Sequence, residues 1–596
     1  MSSSQFVLAY ACARPDAMSP EELDLRRDAA SAHMEDVASA TLERVHVGDG
    51  RTGFIAWQHP RQTIAWPMAS TEGDEAAAWL HVPAAAGRPE DPADPIALAR
   101  ALADGTIDPA ELGAPCAAFY WSHSGLSIIN DRLGMVRLYA FEVPGFGHVW
   151  SSRPGLAHIF AGMAPKLEQS VWNDMATLGW ASDGSAHLGN GRQMQASTRV
   201  HVSSGGVTSI DSDRDSWIRA TADGDVPSTA DGARDMVRSL GIASWWPGKP
   251  TADLSGGKDS RVTAAAAIRA GIVDTVRTVN TDTGEVDTAR GLLRLADEPV
   301  EHRIDAVVQP KKPEGTVLDR YLSTQKAWEG AYNARSAYRT NPFKGFSPSR
   351  APRINGLGGE AVQGRTLLSP AWEAKMEGQG PELGRQRLTA MVQSGAVGVA
   401  EGNIEDSVCS ATRFADDAER LGMTSSFMIV DHFFNFSKMP YWSMPQAAMN
   451  TLLPFYAPQM LPRAIWATFK PNVEYGRLHR DLLREILPAW ADEPFYKGSA
   501  KTRATPWMWE NEDWRDLSET ILDGIPTLRT FDRSRVEKYV ADANKGEGGV
   551  KFELVLSRAM WELSFREFAR GVARLAEETA RGVEEIRARA ATLPGR

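Results

Sequence analysis

The sequence predicts two domains of different build: a sheet-on-sheet domain over residues 1–222, and an α/β domain over residues 223–596 that ends in a helical part. Three observations carry this. The chain has 596 residues, too long for one core. Short apolar or alternating runs at residues 6–10, 52–57 and 116–121 are bounded by Gly, Pro and Asp turns, as half-buried strands require. From residue 251 onward strands and helices alternate, the pattern of a parallel sheet covered by helices.

In the first domain, residues 127–131 continue the strand pattern, and residues 136–141 follow after an Arg132-Leu133-Gly134 turn. The Ala/Pro/Asp-rich stretch 84–108 predicts a surface loop with a short helix at 96–103. Strands at 199–202 and 206–210 close the domain. A polar linker at 221–231 leads to helical spacing of Met236, Leu240 and Ile242 over 233–243. The second domain then reads strand 251–254, helix 260–270, strand 276–280, helix 287–296 and strand 302–308. Beyond about residue 381 the pattern is mostly helical, and residues 554–591 form one long amphipathic stretch rich in Glu, Arg and Ala.

Composition narrows the function classes. The formal net charge of −11 argues against a nucleic-acid partner held by a general positive field. No segment supplies the roughly 20 apolar residues of a membrane span, and residues 1–16 lack the basic and apolar regions of a signal peptide. The expectation is a cytoplasmic protein with no membrane partner. Cys12, Cys116 and Cys409 lie far apart without histidines at ligand spacing, so they are read as structural or incidental thiols. The chain carries 19 Trp. They include Trp245-Trp246 and the group Trp507, Trp509 and Trp514, used in core packing or along a substrate cleft.

The most informative stretch is Asp253-Leu254-Ser255-Gly256-Gly257-Lys258-Asp259-Ser260-Arg261. It places a strand, a two-glycine turn and a helix start in succession. Such a turn cradles phosphate: Gly256 and Gly257 let the backbone approach an anion, Ser255 and Ser260 add hydroxyls, and the helix start supplies free N–H groups. Asp259 would repel that anion unless a cation lay between them, so it reads as a Mg²⁺ ligand on nucleotide phosphates. The spacing fits neither a Walker A loop nor a dinucleotide fingerprint. An ordinary strand-turn-helix connection is the alternative.

This motif resembles the PP-loop of ATP pyrophosphatases in the Ser-Gly-Gly-x-Asp-Ser form of the asparagine synthetase family. Three further places are similar to that family, in the right order. Asn130-Asp131-Arg132-Leu133-Gly134-Met135-Val136-Arg137-Leu138-Tyr139, followed by residues 151–160, resembles part of its glutaminase domain. Residues 279–289 followed by Glu301-His302 resemble the adenine-side strand, an acidic helix start at Asp287 and the His before the next strand. Asn355-Gly356-Leu357-Gly358-Gly359-Glu360-Ala361-Val362-Gln363-Gly364 resembles the family's second glycine loop. A glycine-rich turn with one acid opposite the first would bring a second carboxylate to the same Mg²⁺, pairing Glu360 with Asp259, although a tight surface turn would read the same way.

The resemblance implies a fold, a site and cofactors. The fold is a degenerate N-terminal-nucleophile, glutaminase-like β sandwich followed by a PP-loop α/β domain. The cofactors are ATP and Mg²⁺, with Leu254, Ser255, Gly256, Gly257, Asp259, Ser260, Val279, Asn280, Asn355 and Gly356 around the nucleotide. A basic group must stabilise the charge of adenylation and acyl transfer. Lys497, in the segment 493–503 that matches the family's lysine loop, is the first choice. Lys501 is the second, and a solvated basic turn the alternative.

Two departures from the family matter. Glutamine-hydrolysing members begin with Cys after Met removal, where the α-amino group serves as base; here residue 2 is Ser2, and Cys12 is internal. No glutamine hydrolysis is therefore expected. Leu357 replaces a Glu of the asparagine-forming members. Both departures resemble the branch that closes amide rings with an amine already in the substrate: β-lactam and carbapenam synthetases and lasso-peptide macrolactam cyclases. Residues 431–442 and 453–456 fall where the substrate cleft should lie, with His432 either a base or a packed histidine.

The expected function is thus an AMP-forming amide ligase acting through an acyl-adenylate on a small-molecule or peptide carboxylate and an amine. A leader peptidase or precursor-recognition protein is the implied partner. Asparagine synthesis from ammonia or glutamine, a non-catalytic ATP-binding scaffold, and a tRNA-modifying thiolase are the competing readings.

Overall fold

The computed structural model of the chain describes residues 6–592 apart from 15, 60–65, 67, 84–93, 204–205, 281–282, 297–298, 307–314, 333, 338–350, 364–366, 443–450, 470–475 and 497–506. The described residues form a mixed structure of several sheets with a helical C-terminal part.

The N-terminal part is two six-stranded antiparallel sheets packed face to face. One runs, edge to edge, Gly191–Gln193, Tyr139–Val143, Gly147–Ser151, Phe6–Cys12, Thr52–Gln58 and Glu43–Gly48. The other runs Gly206–Ser212, Thr198–Ser203, Gly125–Asn130, Ala117–Ser122, Glu75–Leu80 and Ala69–Glu72. Strand alternation sends Val7, Ala9 and Ala11 into the space between the sheets, against Phe119 and Ile128. Leu8, Tyr10 and Cys12 point the other way, onto the helices Pro20–Ala38 and Pro154–Ala161. Both faces of Phe6–Cys12 are thereby buried, so the strand reads as a continuous apolar run.

The C-terminal part is built on a parallel five-stranded sheet, ordered Glu301–Ala306, Thr275–Asn280, Thr251–Asp253, Arg353–Ile354 and Thr451–Leu452. The helix Lys258–Arg269 crosses it with Ala264, Ala265, Ala266 and Ala267 fully buried. Small side chains there let the sheet and the helix Arg477–Ile486 close in on either side.

Several boundaries differ from the sequence reading. The helix at 283–294 starts four residues before Asp287, so that residue sits on its second turn, exposed and paired with Arg290 at 3.4 Å, rather than at a helix start. His302 lies within the strand Glu301–Ala306 instead of before it. The 233–243 helix begins at Thr229, where Ser228 and Asp231 form a capping box, and Leu240 and Ile242 fall in the 3₁₀ turn that follows. The helix Arg214–Asp223 was read as strand end and linker. It is mostly polar and buries only Trp217, Ile218 and Thr221, which leaves too weak an apolar stripe to detect by periodicity.

That helix marks the seam between the two parts. Trp217 lies under the Arg132 guanidinium on one side (5.1 Å) and beside Phe436 on the other (5.8 Å). The apolar core is continuous across the seam: Trp66 stacks on Trp245 at 4.3 Å, joining the second sheet's outer face to the core of the parallel sheet. The 43-residue helix Val550–Thr592 packs on both parts. Its Trp561 carbonyl accepts from Gln325 at 2.8 Å, and Arg587 reaches back to Glu22 at 2.9 Å. No described helix is long and apolar enough to cross a membrane.

A buried ion pair also locks the seam. Arg153 Nε donates to Glu329 Oε1 at 2.9 Å, its other nitrogens donate to the carbonyls of Ala327 and Lys326, and Glu329 Oε2 accepts from the Gly155 N–H at 2.9 Å. Burial pushes the Glu329 carboxyl up, but Arg153 and these donors outweigh it and bring it down from 4.5 to about 2. Removing one partner strands the other's charge, so Glu329→Gln or Arg153→Ala should cost about 3–5 kcal/mol. A chemical-denaturation midpoint equal to that of the native chain would contradict this. Because the folded carboxyl titrates lower than the unfolded one, its stabilisation is complete above about pH 4.5 and is lost as pH falls toward about 2. An acid-unfolding curve of Glu329→Gln should therefore be flatter than the native one across that window.

Candidate active site

The site forms where the parallel strands end. Asp253, the last residue of Thr251–Asp253, is held by Arg277 at 2.9 Å and Arg353 at 2.8 Å from the strands on either side. Leu254 is buried, its N–H donating to Arg277 O at 2.8 Å and its carbonyl accepting from Thr278 Oγ1 at 2.6 Å. The chain leaves the sheet from a fixed point, and the two-glycine turn begins there.

The turn Ser255–Ser260 is closed on itself. Ser255 N–H donates to Ser260 Oγ at 3.1 Å, the two hydroxyls are 2.7 Å apart, and Gly257 N–H donates to Ser255 Oγ at 3.2 Å. These groups already converge on one another, and an anion entering the turn would take over contacts they now make internally. Gly256 is required for another reason: a Cβ there would lie 2.4 Å from Tyr496 Cβ, and the Tyr496 ring also fills the space where a side chain on Gly284 would stand. Tyr496 N–H donates to Gly256 O at 2.8 Å.

The second glycine loop docks on the first. Following the strand Arg353–Ile354, Asn355 Oδ1 accepts from Leu357 N–H at 3.0 Å and tightens the turn. A Cβ on Gly356 would meet Ser260 N at 2.6 Å, and one on Gly359 would meet Asp259 Oδ1 at 2.3 Å. Only glycine lets this backbone lie against the Asp259 carboxylate. Glu360 then opens the short helix Gly359–Gln363, with Oε2 accepting from Gly358 N–H at 3.1 Å.

The electrostatics of the two acids differ. Burial pushes the Glu360 carboxyl up, and the neighbouring Asp259 charge adds to the push. Burial also acts on Asp259, but there the hydrogen bond from His479 and the adjacent Lys258 outweigh it and hold the carboxyl below its usual range. Asp259 is thus the committed anion, and Glu360 the acid whose charge costs most without a cation nearby. Among the described residues no three His, Cys, Asp or Glu side chains gather into a metal cage. Two carboxylates are a donor set that suits Mg²⁺, which keeps waters and phosphate oxygens as its remaining ligands.

The structure therefore brings together Ser255, Gly256, Gly257, Asp259, Ser260, Asn355, Gly356 and Glu360. Val279 and Asn280 close the neighbouring strand Thr275–Asn280, paired with Asp305 and Ala306. Lys497 and Lys501 lie outside the described residues, as does Ser2. His432 is a packed histidine, buried and 2.8 Å from Asp417, which also binds Arg214 and Arg420.

Three residues escaped the sequence reading. Arg261, taken only as a helix start, is wholly buried and donates to Gly256 O, Glu493 O and Pro494 O. His479 lies 2.6 Å from Asp259. Lys438, in the π-turn Phe434–Lys438, has Nζ within 6 Å of the Trp180, Phe434 and Trp442 rings at 5.6, 5.7 and 5.8 Å. Burial draws its ammonium down while Glu360 draws it up, and among the described residues it forms no hydrogen bond or ion pair. The wide turn was the one signal in reach, and nothing in the sequence alone distinguishes a π-turn from a regular helix.

Neither a protein-family model nor a curated protein matches this chain.

Gly359→Ala should cost about 1–3 kcal/mol, because its methyl must displace the Asp259 carboxylate. Gly291→Ala, with open space at its Cβ position, is the control and should leave stability unchanged or slightly raised. Equal thermal midpoints for the two variants would show that the second loop does not press on Asp259.

Proposed function

We propose that this chain is a Mg²⁺- and ATP-dependent, AMP-forming amide ligase resembling the glutamine-independent branch of the asparagine synthetase superfamily, with a macrolactam cyclase of the lasso-peptide type as its nearest likeness. The observation that carries the reading is the docking of two glycine loops at the carboxyl ends of a parallel sheet, where ligands of such sheets bind. That docking leaves one ionised and one reluctant carboxylate side by side next to convergent hydroxyl and N–H groups.

In this reading Ser255, Gly256, Gly257 and Ser260 bind the β- and γ-phosphates, while Leu254, Val279, Asn280, Asn355 and Gly356 line the nucleoside side. Asp259 and Glu360 hold the cation, which when bound offsets phosphate charge beside the two acids. A substrate carboxylate oxygen bonds to the α-phosphorus as the bond to pyrophosphate breaks. The amine nitrogen then bonds to the acyl carbon, AMP leaves with the bonding electron pair, and the amine gives up a proton. Lys497, or Lys501 in its place, stabilises the charge in both steps. Lys438, whose ammonium feels the Glu360 charge, is in this reading a further cation able to meet an incoming carboxylate. The sandwich domain is, on this reading, a glutaminase-like domain that hydrolyses no glutamine.

The test is product analysis with ATP and Mg²⁺ in the presence of aspartate plus ammonia, aspartate plus glutamine, or candidate precursor peptides. AMP and pyrophosphate formed only with a peptide or specialised amino acid support the ring-closing ligase. AMP formed with aspartate returns the chain to asparagine synthesis, and none in any arm favours a non-catalytic scaffold. Asp259→Ala should lower AMP formation by about 10³-fold or more, the loss of several kcal/mol of charge stabilisation. A folded Asp259→Ala variant with full turnover would sink the assignment.

A further inference from the structure

Asp259 is enclosed more completely than a metal-ligand role alone would need. His479, on the helix Arg477–Ile486, is fully buried, and its Nε2 lies 2.6 Å from Asp259 Oδ1. The ring is sleeved by aromatics, edge-on to Phe455 at 6.2 Å and to Phe495 at 6.5 Å. Its Nδ1 is buried and has no hydrogen-bond partner among the described residues. Nε2 is thus the ring nitrogen placed to donate to the carboxylate.

Two contacts bear on the Asp259 side chain: His479 takes Oδ1 and Lys258 Nζ stands 3.5 Å from Oδ2, with the Gly359 backbone so near that a Cβ there would meet Oδ1. Glu360 approaches from the same loop as Gly359. Among the described residues Oδ2 has only the long contact to Lys258, so it is the oxygen better placed to take another ligand.

We propose that His479 is a positioning residue for the cation of the nucleotide complex: by holding Asp259 Oδ1 it presents Oδ2 to the metal in one orientation and sets the metal's affinity. The proposal rests on the nucleotide reading above. Partners of this kind orient metal-binding carboxylates, and their loss weakens metal binding about 10–100-fold.

The test uses the full chain and Mn²⁺ as a spectroscopic stand-in for Mg²⁺, with bound Mn²⁺ counted by electron paramagnetic resonance in the presence of α,β-methylene-ATP, which resists cleavage at the α–β bond. His479→Phe keeps the ring volume and removes the donor; His479→Gln keeps a donor. Mn²⁺ binding to the analogue complex should weaken about 10-fold or more in His479→Phe and be largely restored in His479→Gln. Binding of the analogue without metal should be the same in all three proteins. A residue that served only in packing would lower the melting temperature and leave Mn²⁺ affinity per folded molecule unchanged. Native-like Mn²⁺ affinity in folded His479→Phe therefore overturns the proposal alone. If His479→Phe does not fold, His479→Met takes its place as the donor-less variant: a loss of about 10-fold there with His479→Gln within about threefold of native supports the donor requirement, and native-like Mn²⁺ affinity in folded His479→Met overturns it. A native chain that binds neither analogue nor Mn²⁺ overturns the nucleotide reading, and this inference with it.

Discussion

The guanidinium of Arg261 is the contact on which the candidate site depends. It is fully buried, where a charge is costly unless hydrogen-bonded; its two terminal nitrogens are taken up, while Nε has no partner among the described residues. Here Gly256, Glu493 and Pro494 each turn a carbonyl toward it, while its plane lies over Phe495 at 4.7 Å, with Arg480 at the same distance from that ring. One side chain thereby ties the first glycine turn to the segment 493–496, which are distant in sequence. Gly256 O takes a second bond from Tyr496 N–H, so both ends of the contact are backbone and no side-chain substitution elsewhere can replace it. The turn's shape and the position at which the chain sets off toward Lys497 are fixed together.

A second constraint operates at a larger scale. The sandwich and the parallel sheet are joined through buried polar contacts as well as apolar surface, with Arg153 and Glu329 on one side of the seam and the long helix Val550–Thr592 bridging both. Arg137 Nη2 lies 3.4 Å from Tyr441 O, its guanidinium 4.3 Å from the Tyr441 ring. Arg132 Nη1 donates to Pro458 O at 2.6 Å. The stretch 130–139 thus spends its arginines on the second part of the chain. The sandwich domain serves as the wall against which residues 431–442 and 453–456 pack.

How much of this was legible follows from where each signal is stored. The two-glycine turn is local: strand, two glycines and helix start are contiguous, so its strand-turn-helix geometry at Ser255 to Ser260 could be read directly. The second loop was legible for the same reason, and its glycines proved to answer a steric demand set by Asp259, which the sequence does not display. Arg261, His479 and Lys438 were not legible, because their settings come from partners 220 or more residues away, as for His479 and Asp259, or, for Lys438, from the distant Trp180 ring as well as the local Phe434 and Trp442. The helix Arg214–Asp223 was missed because its burial is supplied by the other half of the chain. Strand Phe6–Cys12 was found but not its two-sided burial, since covering helices are a tertiary fact.

The charge pattern at the loops narrows what can bind there. Asp259 is stabilised as an anion by the hydrogen bond from His479 and by Lys258, and so gains little from further neutralisation by the protein. Glu360 has its own backbone N–H and the distant pull of Lys438, and it faces Asp259. The Asp259 charge adds to what burial already costs an ionised Glu360 in this partly desolvated setting. The chain tolerates that cost while arranging hydroxyls and a helix start, both suited to anions, at the same point. A ligand carrying only negative charge would add to the cost, and a bare cation would leave the hydroxyls and N–H groups without use. An anion and a divalent cation bound together would satisfy both halves, and on the proposed reading that joint requirement distinguishes a metal–nucleotide site from a simple phosphate cradle.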